Sequence, residues 1–204
     1  MHDHPVWSKR QIHASMQGTL ARRPKGPVWL FAYGSLIWNP LFEFSDSRRA
    51  TLDGWHRSFC IRLVAGRGNV EHPGRMLALE AGGRTEGLAF MLHEAGLERE
   101  LGIVWMREMI GGVYQPKWER IAFEGGDETH AIVFVVDEAH PLYETDSSVG
   151  TTAPIVARAA GHLGRNVDYA MRLSTSLAEH GMTDAYVDDL VAAMRAAGEN
   201  ENNY

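Results

Sequence analysis

Leu101, Val104, Trp105 and Glu108 follow one another at i, i+3, i+4 and i+7, ahead of the pair Gly111-Gly112. That spacing puts a carboxylate on the apolar stripe of a helix that glycines close. Burial of the stripe favours the neutral acid, and the negative end of the helix dipole pushes the same way. A glutamate tuned upward in this manner suits proton transfer near neutral pH. The plainer alternative is a glutamate that snorkels to solvent or pairs with an arginine. A second stretch runs Val28-Trp29-Leu30-Phe31-Ala32-Tyr33-Gly34-Ser35-Leu36-Ile37-Trp38 and ends on Asn39-Pro40. It begins with the composition of a buried strand and breaks at Gly34-Ser35. At such a break no Cβ at the glycine bars a carboxylate or oxyanion from the backbone N–H groups, although an ordinary strand and turn would read the same. Arg67 and Arg75 lie in a loop rich in glycine and arginine, residues 65–75. They could grip a carboxylate bidentately or stand as exposed loop charge.

Other chemistries find little support. The ten histidines are scattered, with no pair at i, i+4, and His93-Glu94 lacks the second ligand of a zinc-protease helix because position 97 is leucine. Gly66-Arg67-Gly68 lacks the third glycine of a dinucleotide loop, and Ser35 lacks the flanking glycine of a nucleophile elbow. These motifs point to no metal site and no dinucleotide cofactor. A net charge of −6 argues against nucleic acid as a partner. The single cysteine, Cys60, cannot form an internal disulfide and reads as a small buried hydrophobe, which fits a reducing, cytoplasmic setting. No apolar run is long enough to span a bilayer, so membrane insertion is not expected. Oligomeric state leaves no mark in the sequence.

The elements that must position these groups follow from hydropathy and punctuation. Residues 1–27 read as a basic N-terminal arm and linker, carrying Lys9, Arg10, Arg22, Arg23 and Lys25. A short helix over 7–20 could pack on the domain, but a solvated arm is the expectation. Residues 28–197 form one domain, and 198–204 a flexible tail. Strands are predicted over 51–55, 58–63, 76–80 and 86–92, with Gly82-Gly83 turning the last two. The Glu108 helix spans 95–109. Strands over 114–123 and 129–136 follow, and 140–144 is a loop. Helices are predicted over 153–163, from a cap at Asn166 to about 180, and from Thr183 or Asp184 to about 195.

Four motifs in one order, FAYGSLIWNP, AGRGNVEHPGRMLAL, WMREMIGGVY and GHLGRNVDY, fall within residues 28–194. Together they resemble the ChaC family of γ-glutamylcyclotransferases, in a bacterial version. The resemblance implies an α+β fold, a small closed mixed β-barrel flanked by helices. It implies cleavage of a γ-glutamyl amide by the substrate's own α-amine, and for reduced glutathione the products are 5-oxoproline and cysteinylglycine. Glu108 matches the catalytic glutamate, a general base and acid in one group; around it this chain inserts Met109-Ile110 and Val113. The strand end and turn at Leu30, Phe31, Ala32, Tyr33, Gly34, Ser35 and Leu36 match the substrate-binding segment. The Arg67 and Arg75 pairs recur in the family as site or loop anchor, and Tyr143 falls where the family often has a tyrosine, with an aromatic core wedge as its alternative. Two other readings remain at this level: the same reaction on other γ-glutamyl peptides or amines, and a non-catalytic regulator of a cation transporter. Under the enzyme reading, removal of residues 1–26 is expected to leave turnover intact.

Overall fold

The aromatic-rich run after Val28 becomes strand β1 (Trp29–Ala32), and all four residues are buried. A strand covered on both faces carries no polar alternation, which is why this one reads as a continuous apolar run. The computed structural model describes residues 6–201, so the outermost residues of the predicted arm and tail lie outside it. β1 pairs antiparallel with β3 (Gly74–Met91) and parallel with β5 (Glu128–Val136). Strands β2 (Asp46–Leu63) and β4 (Tyr114–Phe123) complete a closed barrel in the order β1-β3-β2-β4-β5. One parallel pair among antiparallel ones makes the barrel mixed, as the family resemblance implied.

The span read as one domain divides between two compact units. One comprises residues up to His56 together with Ala81–His140, and the other comprises Arg57–Glu80 together with residues from Pro141 onward. In the first unit, helix α2 (Leu97–Glu108) turns Leu101, Val104 and Trp105 inward, each at most 1% exposed. The Trp105 ring meets Phe134 of β5 edge-on, with centroids 4.9 Å apart. Helix α1 (Lys9–Leu20) packs against α2. Its start is fixed by a reciprocal cap, in which Ser8 Oγ accepts from Gln11 N–H and Ser8 N–H donates to the Gln11 side chain. Ile12, Met16 and Thr19, at i, i+4 and i+7, are buried, so the solvated-arm expectation fails over this helix. Trp105 Nε1 donates to Ser15 Oγ at 3.2 Å, and Trp118 Nε1 donates to the Thr19 carbonyl at 2.9 Å. Trp7 N–H donates to the Ile110 carbonyl, and its indole covers Gly112 so closely that a Cβ there would overlap the ring. Gly112 also has φ +64°, a second reason for glycine.

The second unit holds helices α3 (Val149–Arg158), α4 (Asn166–Glu179) and α5 (Ala185–Glu201), with a short antiparallel pair, β6 (Ala160–Gly161) and β7 (Gly164–Arg165), between α3 and α4. Phe59, Leu77, Leu79, Val156, Leu173 and Leu190 form its core. Asp184 Oδ1 accepts from Val187 N–H at the start of α5, while Oδ2 pairs with buried Arg57 at 2.9 Å.

Several boundaries differ from expectation. Gly82-Gly83 is no hairpin turn: both residues lie inside β3, at φ +103° and +69°, and bend a continuous strand. Strand β2 runs through residues 56–57 and so joins the two strands predicted over 51–55 and 58–63, with Gly54, at φ +84°, inside it. Helix α3 begins before 153 and stops at Arg158, where β6 takes over. Asn166 is the first residue of α4 and not its cap, because its side chain is engaged with the Arg75 backbone. Residues 198–201, expected in the tail, continue α5. Among the described residues, no helix is long and apolar enough to cross a membrane.

Candidate active site

Glu108 closes α2, and its side chain keeps 17% of its exposure. Burial raises its carboxyl from the ordinary 4.5 to about 7, against the opposing pull of the neighbouring Arg107 cation. The Arg107 Nε lies 3.3 Å from Glu108 Oε1. The same guanidinium reaches the turn after β1: Nη2 donates to Ser35 Oγ at 2.7 Å, and Nη1 donates to the Asn39 carbonyl. One arginine thus ties the strand-end turn to the glutamate, and the two predicted centres meet within the span of a guanidinium.

The turn itself is compact. Ile37 N–H donates to the Gly34 carbonyl at 2.9 Å, and Asn39 N–H donates to the Ser35 carbonyl at 3.0 Å. The N–H groups of Gly34, Ser35 and Leu36 donate to no acceptor among the described residues, the situation of the first turn of a helix, where unpaired donors favour an anion. Tyr33 is 8% exposed and its hydroxyl donates to the Phe134 carbonyl at 2.6 Å, which commits the O–H to the barrel backbone. Leu30, Phe31 and Ala32 are at most 1% exposed and sit in the β1 pairing with β3. Their side chains form barrel core, and their contribution to the turn is to hold its base.

The remaining predicted residues belong to the second unit. Arg67 Nη1 donates to the Arg165 carbonyl at 3.0 Å, which ties its loop to β7. Arg75 is 6% exposed, with Nη2 3.6 Å from Glu144 Oε2 and a buried Nη1 that has no hydrogen-bond partner. Its backbone is held twice by Asn166, whose Oδ1 accepts from Arg75 N–H at 2.7 Å and whose Nδ2 donates to the Arg75 carbonyl at 3.0 Å. Tyr143 lies beside β2 through a bridge to Ile61, flanked by bonds from Arg62 N–H to the Leu142 carbonyl and from Glu144 N–H to the Cys60 carbonyl. Its hydroxyl donates to Glu80 Oε1 at 2.6 Å, while Ser147 Oγ donates to Glu80 Oε2 at 3.0 Å. Cys60 is buried there, and burial pushes its thiol up to about 12, out of the range of a reactive thiolate.

Sequence reasoning missed Arg107 and Glu80. Arg107 stands next to Glu108 in the motif, but one residue is about 100° of helix rotation, so adjacency alone did not suggest a shared partner. Glu80 ends a continuous apolar run, and only Tyr143 and Ser147, far along the chain, reveal what it accepts.

A closed mixed barrel thus carries a carboxyl raised to about 7, tied through Arg107 to a turn whose backbone donors are unpaired among the described residues. The chemistry of that pairing suits proton transfer on a group with developing negative charge. The chain belongs to the ChaC-like protein family, whose model matches residues 28–197. It is 49% identical to the glutathione-specific gamma-glutamylcyclotransferase of Escherichia coli (strain K12), across 93% of this chain and 83% of that protein. Against the human glutathione-specific gamma-glutamylcyclotransferase 1 the identity is 29%, across 84% and 78%. A crystal structure of a yeast gamma-glutamyl cyclotransferase specific to glutathione shares the fold, with a TM-score of 0.77 at 17% identity, across 84% of this chain and 97% of that one.

Proposed function

We propose that this protein is a glutathione-specific γ-glutamylcyclotransferase, converting reduced glutathione to 5-oxoproline and cysteinylglycine. The observation that carries the reading is the Glu108 carboxyl, raised to about 7 and tied through Arg107 to the Gly34-Ser35 turn, in a chain 49% identical to a protein of that name. The α-amine of the γ-glutamyl group attacks the side-chain amide carbon. A C–N bond closes the five-membered ring, and the amide C–N bond to cysteine breaks. The amine gives up a proton and the leaving nitrogen gains one, so no water is consumed. Glu108 takes the first proton and delivers the second, and a carboxyl near 7 holds both forms at neutral pH. The N–H groups of Gly34, Ser35 and Leu36 receive the oxyanion or the substrate carboxylate. Tyr33 contributes a wall, and Leu30, Phe31 and Ala32 contribute the rigid strand end.

Among the candidates of the second unit, Arg75 has donor capacity left for a carboxylate, since its buried Nη1 is unpartnered. Tyr143 acts with Glu80 as one hydrogen-bonded group. Arg67, already bonded to the Arg165 carbonyl, serves as a loop anchor. A cytoplasmic location belongs to the same proposal, resting on a sole, buried cysteine.

The test is incubation of the purified protein with reduced glutathione and mass spectrometry of the products. Appearance of 5-oxoproline with cysteinylglycine is expected. Glutamate in place of 5-oxoproline would mean that water attacks and would overturn the internal-amine mechanism. Equal rates on γ-glutamylalanine and glutathione would remove the narrow specificity.

A further inference from the structure

Arg107 makes three contacts with one planar group, to Ser35 Oγ, to the Asn39 carbonyl and to the Glu108 carboxylate. Its side chain is 23% exposed, and nothing in the packing of α2 requires a cation there: the stripe at Leu101, Val104 and Trp105 is filled without it. A guanidinium suits the task because its donors leave in fixed directions from one plane, so that fixing one partner fixes the others. A lysine in its place would offer one charge centre and no fork.

We propose that Arg107 is the positioning residue of this site, a clamp that holds the Gly34-Ser35 turn and the Glu108 carboxylate at one separation so that both address the same substrate. The inference rests on the reading of Glu108 as the proton carrier. It goes beyond that reading by assigning the aim of Glu108 to a neighbour that touches no reacting atom. Two consequences follow. Loss of the fork lets the turn and carboxylate drift, and a displacement near 1 Å is enough to cost about 100-fold in rate. Loss of the cation removes the only charged side chain, among the described residues, that holds the Glu108 carboxyl down against burial. The acid limb of the pH–rate profile therefore moves to higher pH.

The experiment compares wild type, Arg107→Gln, Arg107→Lys and Glu108→Gln by kcat and KM for glutathione across the pH range, with melting temperature and circular dichroism for folding. Arg107→Gln is expected to lose about 10- to 100-fold in kcat, with a smaller change in KM and an acid limb above the wild-type value near 7. Arg107→Lys is expected to lose kcat while leaving the limb in place, because the charge remains and the fork does not. A folded Arg107→Gln protein that keeps either the wild-type kcat or the wild-type limb overturns the proposal. If Arg107→Gln fails to fold, Arg107→Lys decides: a tenfold or greater loss of kcat with an unmoved limb supports the clamp, and wild-type kcat removes it. Near-normal turnover by Glu108→Gln would instead remove the underlying reading, whatever Arg107 does.

Discussion

The two ends of α2 carry two glutamates with opposite tuning. Glu100, in the first turn, is 3% exposed, and its carboxylate accepts the Glu43 N–H at 2.9 Å and the Arg99 Nε at 2.8 Å. The Glu43 bond, helped by Arg99, holds it below the ordinary 4.5. Glu108, at the other end, has among the described residues only the longer Arg107 contact, and burial takes it up to about 7. Removal from water alone does not decide the direction; the supply of donors to the charged form does. The helix dipole adds to the contrast, favouring the anion in the first turn and opposing it in the last. One helix thus holds a carboxyl lowered by its donors at one end and, at the other, the raised carboxyl proposed for proton transfer.

Glu108→Gln breaks the comparison most severely. Turnover of glutathione is expected to fall about 10²- to 10⁴-fold, the usual worth of a general acid–base group, while binding and folding persist. Isothermal titration with glutathione and a steady-state assay on the same preparation check both halves. Next in size is the brace on the middle of the helix. Met16→Ala, which empties a site under α1 that is 4% exposed in the wild type, is expected to cost about 2–5 kcal/mol in denaturant unfolding. By the same contacts, removal of residues 1–26 is expected to uncover Trp105 and Gly112 and to lower stability. The family model itself begins at residue 28, so this brace lies outside the span that the model matches.

Glu100→Gln sharpens the contrast. It is expected to cost about 1–3 kcal/mol, since the Glu43 N–H and Arg99 lose a charged acceptor, with turnover per folded molecule unchanged. The smallest effect is in the pH dependence of stability. The Glu108 carboxyl binds its proton more tightly in the folded protein than in the unfolded chain. Its contribution is therefore full below 4.5 and is lost as pH rises through about 7, by up to about 1.4 kcal/mol per pH unit in between. Glu100, with a lowered folded value, contributes in the opposite sense: its stabilisation is present above 4.5 and fades as pH falls below it. Urea unfolding of wild type and Glu108→Gln across this range should show the first slope vanish in the variant.

The Glu108 helix was legible because four residues at helical spacing place one carboxylate among three large apolar side chains. The turn at Gly34-Ser35 was legible because an apolar strand ends there on two small residues. The length of β2 and β3 was not: Gly82-Gly83 reads as a turn when the backbone uses it as a bend within a strand, and β2 continues through residues 56–57, between the two strands read there. The packing of α1 escaped for a different reason. Its buried face is only Ile12, Met16 and Thr19, and two of the groups it serves, Trp105 and Trp118, lie far along the chain. The role of Arg107 depends on three partners on different elements, which no local pattern records.

The most direct test of the opposite tuning is a carbon-13 NMR titration of the glutamate side-chain carboxyls, with Glu108→Gln and Glu100→Gln each deleting one resonance to assign it. Midpoints near 7 for Glu108 and below 4.5 for Glu100 are the predicted result. Midpoints for both near 4.5 would contradict it, and with it the assignment of Glu108 as a carboxyl poised for proton transfer at neutral pH.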